Sequence, residues 1–145
     1  MSNYYNNLNT FLANQAVLYM KLHNLHWYIK GNGFFTLHTE FEKLYDVTAE
    51  VMDEVAERLL MLGAKPHATL RDVLAAKTLS EREPLPADAK EAVELTLSDF
   101  EKLRDDAKEI VALAAEAGDD GTADQFTGYL RSYEKSIWML RAYLN

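Results

Sequence analysis

The stretch HWYIKGNGFFTLH, residues 26–38, decides how this chain folds. Gly31, Asn32 and Gly33 separate two long segments, 2–30 and 34–62, that contain neither glycine nor proline. Glycine and asparagine tolerate the left-handed backbone that ends one helix and admits a tight turn into the next. Before the turn, Tyr4, Leu8, Phe11, Gln15, Leu18, Leu22, Leu25 and Ile29 recur in alternating steps of four and three. This spacing predicts a helix with one core-facing stripe and a single polar interruption. After the turn, Leu37, Phe41, Leu44, Thr48, Val51, Val55 and Leu59 repeat the pattern. A three-residue link makes the two helices antiparallel neighbours.

The second half mirrors this arrangement. Residues 87–117 also lack glycine and proline, and Asp88 with Glu91 reads as a capping box that opens a third long helix running to Gly118. Its core positions are Val93, Leu97, Phe100, Leu103, Ala107, Ile110 and Ala114. Thr122 with Gln125 reads as the capping box of a fourth, whose apolar face is Phe126, Leu130, Tyr133, Ile137, Leu140 and Leu144. All three prolines, Pro66, Pro84 and Pro86, fall in the central link, 63–86. That link is long enough to run the length of a bundle, roughly 40 Å for 28 helical residues, and TLRDVLAAK, with Thr69 as cap, predicts a short helix within it. The expected fold is all-α: a single domain, 1–145, in the form of a ferritin-like four-helix bundle with a long crossover between its second and third long helices.

His26 and His38 stand six residues on either side of Asn32, so a helical hairpin brings them to one height. Each lies one position beyond a core residue, which turns it toward the bundle's edge. On the second helix, His38, Glu42, Asp53 and Glu57 fall at about 0°, 40°, 60° and 100°, a single stripe that also holds Tyr45, Ala49, Met52 and Ala56. Glu54 and Arg58, nearby, are spaced for an ordinary i,i+4 pair. A solvated face is rarely so apolar as this stripe. His38 and Asp53 are nevertheless about 22 Å apart along the axis, and one chain cannot close the site. A second copy can, if the two helices pack antiparallel about a twofold axis near Val47 and Thr48, where facing residue numbers add up to about 95. His38 then meets the neighbouring copy's Glu57, and Glu42 its Asp53. Two imidazoles and two carboxylates suit a divalent first-row metal; iron fits, and zinc fits the same donors. The chain has no cysteine and no Glu-x-x-His pair, which excludes thiolate sites and argues against the usual carboxylate centre inside the bundle.

These residues also carry a family resemblance. KLHNLHWYIKGNGFFTLHTEFEKLYD followed by DEVAERLLMLG, with DDGTAD and SIWML later, resembles the Dps family of mini-ferritins, named as DNA-binding proteins from starved cells. The resemblance spans nearly the whole chain. It implies a dodecameric shell built on twofold dimers, with ferroxidase sites at the twofold interfaces. There Fe(II) is oxidised, preferentially by hydrogen peroxide, and stored as ferric mineral. It implies His26, His38, Asp53 and Glu57 as ligands, Glu42 in a secondary role where relatives often carry Asp, and Trp27 beside the site as an interceptor of oxidising equivalents. His23 matches no ligand of the family and is expected beside the site or at the interface. The resemblance also implies that Asp119, Asp120 and Asp124 line an iron-entry pore.

Binding of DNA is not expected despite the family's name. Net charge is −8, and MSNYYNNLNT carries no basic residue, so phosphate would find no electrostatic source. The uncharged stretch 2–20 is too rich in asparagine to span a bilayer and lacks the pattern of a secretion signal, and the expected location is the cytoplasm. The competing readings are a DNA-compacting or structural shell with vestigial metal sites, and a bundle holding zinc structurally at its dimer interface.

Overall fold

The computed structural model describes residues 4–145. Its helices are α1 (Tyr4–Tyr28), α2 (Phe34–Met61), a short α3 (Leu70–Ala76), α4 (Ala89–Glu116) and α5 (Asp120–Leu144). The hairpins α1/α2 and α4/α5 pack into the expected four-helix bundle, with α3 lying on α1 in the crossover. The apolar stripes meet at the centre: Leu8, Leu22, Val55, Leu59, Ala92, Leu103, Ala107 and Phe126 are fully buried.

The turn between α1 and α2 forms as its glycines require. Gly31 and Gly33 have φ of 85° and 90°, and Gly33 is the N-cap of α2 without any side-chain capping bond. A Cβ at Gly33 would also stand 3.3 Å from the Tyr143 hydroxyl. Gly33→Ala is therefore expected to destabilise the protein by about 1–2 kcal/mol through left-handed backbone strain, read from chemical denaturation. A Gly31→Ala control meets the same backbone strain with open space around it, so the difference between the two isolates the crowding.

Three boundaries differ from the sequence reading. α1 stops at Tyr28 because the chain entering α4 captures its end: Lys30 N–H donates to Ala87 O at 2.9 Å, and Ala87 N–H donates to Tyr28 O at 3.1 Å. α4 ends at Glu116, with left-handed Gly118 closing it while Asp119 N–H reaches Ala114 O at 2.8 Å. The cap of α5 is Asp119, three residues before the expected Thr122; its carboxylate accepts from Thr122 N–H. Thr122 is instead a buried first-turn residue whose hydroxyl donates to the same carboxylate at 2.6 Å. An ionised aspartate accepts at a helix N-terminus better than a hydroxyl does, which moves the start upstream. The caps Asp88 and Thr69 form as expected.

The crossover is held by polar residues of α1. Asn9 donates to Lys65 O and accepts from His67 N–H; Asn14 accepts from Thr78 and Leu79 N–H and donates to the Thr78 hydroxyl; Asn24 donates to Arg82 O. Buried backbone groups in a long connection need partners. Asn9 and Asn14, two of the asparagines that make 2–20 too polar for a membrane, supply them together with Asn24.

Candidate metal centre

The centre starts from the hairpin's symmetry about Asn32. The imidazoles of His26, at the end of α1, and His38, in the first turns of α2, stack with centroids 3.7 Å apart and planes 15° from parallel. Each locks the other's backbone. Nδ1 of His26 lies 2.6 Å from His38 O, and Nδ1 of His38 lies 2.8 Å from His26 O. A carbonyl oxygen only accepts, so each Nδ1 carries hydrogen, and each Nε2 is the nitrogen left with a lone pair for a metal. A hydrogen bond on the far nitrogen fixes tautomer and ring direction, as ligating histidines require.

Aromatic neighbours complete the setting. Phe34 stacks on His38 at 5.0 Å, and Tyr45 meets His26 edge-on at 5.3 Å. His26 is consequently more buried, at 7% exposure, than an edge position implies. His23 stacks on Tyr45 at 3.6 Å with its Nδ1 bound to Tyr19 O, and Trp27 lies 5.2 Å from His23 while remaining 60% exposed. Burial, followed by the charges of Glu42 and Asp46, raises the Tyr45 pKa.

The carboxylates stand apart from the histidines within one chain. α2 is continuous from Phe34 to Met61, so Asp53 and Glu57 keep their axial distance from His38; with Glu42 they are exposed. Among the described residues, no three His, Asp or Glu side chains of one chain gather to hold a metal. Beside Asp53 lies an apolar groove of about 650 Å³, lined by Leu12, Met20, Met52, Ala56, Leu70 and Val73. Met20 and Leu70 are 60% and 80% exposed, an unusual cost for a surface that remains in water.

The three aspartates at the start of α5 divide. Asp119 accepts from the Tyr4 hydroxyl at 2.6 Å and from Arg58 Nη2 at 2.8 Å in addition to Thr122. Asp120 and Asp124 are exposed. The expected Glu54–Arg58 pair is not made: Arg58 crosses to Asp119 and the Thr122 hydroxyl, passing over Gly121, and Glu54 accepts from Tyr129 Oη at 2.8 Å. Partners across the half-buried α2/α5 seam are less screened by water than a neighbour on the same exposed face, so they win.

Burial alone would raise the Asp119 pKa, but the bonds from Thr122, Tyr4 and Arg58 outweigh it and hold it at about 2. A carboxyl depressed below its ordinary value near 3.9 stabilises the fold fully above that value. The contribution disappears as pH falls through about 2. Asp119→Asn is expected to cost about 2 kcal/mol at neutral pH and to flatten the acid limb of stability between about pH 4 and pH 2. Urea denaturation at stepped pH measures both; an unchanged acid limb would show that the network does not depend on charge.

Comparison with known proteins agrees with this architecture. The family described as a ferritin-like domain matches residues 5–145. The chain is 42% identical over 138 residues to general stress protein 20U of Bacillus subtilis, covering 94% of each. It is 41% identical over 138 residues to DNA protection during starvation protein 2 of Bacillus anthracis, covering 95% of this chain and 94% of the other. The structure of Dps from Vibrio cholerae O1, described as a member of a broad superfamily of ferritin-like diiron-carboxylate proteins, superposes with a TM-score of 0.93 at 37% identity, over 97% of this chain and 88% of that one.

Proposed function

Because this chain belongs to the Dps family of ferritin-like proteins, we propose that it oxidises Fe(II) with hydrogen peroxide and stores the ferric product inside a shell of its own copies. The observation that carries this reading is the paired histidines, whose Nδ1 atoms are each tied to the other's carbonyl. Both Nε2 atoms are thereby prepared as ligands before any metal arrives.

The site is completed by a second copy. Antiparallel α2 helices bring Asp53 and Glu57 of one copy to His26 and His38 of the other, and the apolar groove beside Asp53 gives that packing its hydrophobic area. Glu42 lies at the margin as a further metal contact. Two neutral imidazoles and two carboxylates compensate a divalent cation, and positions left open on iron admit an oxidant. Two Fe(II) give one electron each; with two protons, these reduce one hydrogen peroxide to two waters as its O–O bond breaks. Neither Fe(II) nor peroxide is then left to make hydroxyl radicals. Trp27 is the proposed donor of an electron when oxidation goes astray, a role supported by its exposure and its contact with His23.

Twelve copies form the shell. Asp120 and Asp124 supply the negative charge of an iron-entry pore, and Asp119 anchors their helix through Arg58 and Tyr4 rather than facing the ion directly. Among the described residues no helix is long and apolar enough to cross a membrane, and the proposed setting is the cytoplasm, without direct DNA binding.

Anaerobic Fe(II) loading, then peroxide, then a sizing column with iron and protein followed together tests this function. Iron in excess of a few ions per chain, eluting with a large particle, is the expected result. An intact particle carrying little iron would sink storage. Loss of the particle on chelation would move the centre to structural zinc, which the same donors accept.

A further inference from the structure

At mid-height in the bundle, a cavity of about 90 Å³ lies among the long helices and reaches the seam between α2 and α5. Its polar lining is Gln15, Thr48, Ser132, Tyr133 and Ser136, with Tyr129, whose hydroxyl already donates to Glu54. Gln15 and Thr48 are the polar positions that interrupt the apolar stripes of α1 and α2, and both are buried. The Gln15 Nε2 donates to Tyr133 Oη at 2.9 Å, while its Oε1 is fully buried with no hydrogen-bond partner. Turning the amide over pairs Oε1 with the Tyr133 hydroxyl and leaves the NH₂ group in its place, so one polar end lacks a partner in either orientation. A buried, unpaired amide end is costly unless something in the cavity meets it.

The lining defines what that is. No carboxylate, lysine or arginine borders the cavity, so a charged guest would be desolvated without compensation. Thr48 already gives its hydrogen to Leu44 O at 2.8 Å and retains lone pairs. Burial pushes the Tyr133 pKa up against the opposing bond from Gln15, so its phenol stays protonated and has a hydrogen to donate. A guest that both donates and accepts therefore fits best, and the volume admits a water-sized molecule.

We propose that this cavity is a binding site for a small neutral hydroxylic molecule, water or hydrogen peroxide, held by Gln15 and Tyr133. The site is independent of the metal centre, and its test needs no iron. Crystals of the metal-free assembled protein, examined with and without a hydrogen peroxide soak, are expected to show density about 2.7–3.0 Å from the Gln15 amide and from Tyr133 Oη. A single-oxygen peak in both crystals identifies water. A two-oxygen peak that appears only after soaking identifies peroxide. An empty cavity in both overturns the proposal.

Gln15→Met, of similar length but without the amide, provides a solution measurement. The variant is expected to lose the density and to gain no thermal stability, because the wild-type amide is already satisfied. A rise in melting temperature of about 3 °C or more would mean that the wild-type amide lies dry and unpaired, and would overturn the proposal.

Discussion

On the proposed function, Fe(II) oxidation by peroxide is expected to return to about a quarter of the wild-type rate when His38→Ala and Asp53→Ala subunits are co-assembled in equal amounts, although each variant alone is expected to lose it by about 100-fold or more. The expectation follows from the proposed site, divided between two copies. In a homodimer of either variant, both sites lack a ligand. In a mixed dimer, one site combines both defects, while the other takes its histidines from the Asp53→Ala chain and its carboxylates from the His38→Ala chain and is whole. Random pairing makes about half the dimers mixed, each with one good site of two. Stopped-flow absorbance of the ferric product measures the rate, and a sizing column verifies that every sample is assembled. A mixture as inactive as its components would refute the shared site. Full activity in Asp53→Ala alone would remove that carboxylate from the chemistry.

Lys21→Met is expected to lower stability by about 3 kcal/mol at neutral pH. Lys21 is 6% exposed; its Nζ lies 2.8 Å from Asp99 on α4 and 2.8 Å from Ser80 O in the crossover, joining three parts of the fold. Methionine retains the stem but leaves the Asp99 carboxylate largely buried without its counter-charge. Burial already raises the Asp99 pKa against the opposing effect of Lys21, and without the lysine it rises further. A carboxyl with a raised folded pKa is tolerated when protonated and opposes folding once ionised. The deficit is therefore largest at neutral pH and narrows as pH falls toward the ordinary carboxylate value. Adding Asp99→Leu should recover much of the loss, since a buried pair can be replaced by apolar groups but not halved. Denaturation curves for both variants at two pH values test this; a Lys21→Met deficit that does not vary with pH would show that Asp99 is not its cause.

The bundle was legible because its signals are local. Alternating steps of three and four place Leu8, Phe41, Leu103 and Phe126 in the core, and these residues are buried to 4% exposure or less. Gly31 and Gly33 mark a turn that few other residues would make. The misplaced cap at Thr122 shows where local reading fails: Asp119 and Thr122 both have capping chemistry, and the choice between them also involves Arg58 and Tyr4, more than 60 and more than 110 residues away in sequence. The roles of Asn9, Asn14 and Asn24 were equally hidden, because their partners are backbone groups of the crossover, which a side-chain pattern does not reveal.

At the candidate metal centre the division is similar. Helical periodicity and a hairpin centred on Asn32 were enough to place His26 beside His38, since both are consequences of rise and rotation per residue. Periodicity also puts Asp53 and Glu57 on the histidine's stripe and too far along α2 to join it within one chain. Only the tertiary structure decided which nitrogen of each ring remains free, because that depends on two carbonyl oxygens, at the end of one helix and the start of another, coming within 2.6 and 2.8 Å of the opposite imidazoles. Spacing along a chain specifies which residues share a face; the direction of a hydrogen bond is set only when the faces pack.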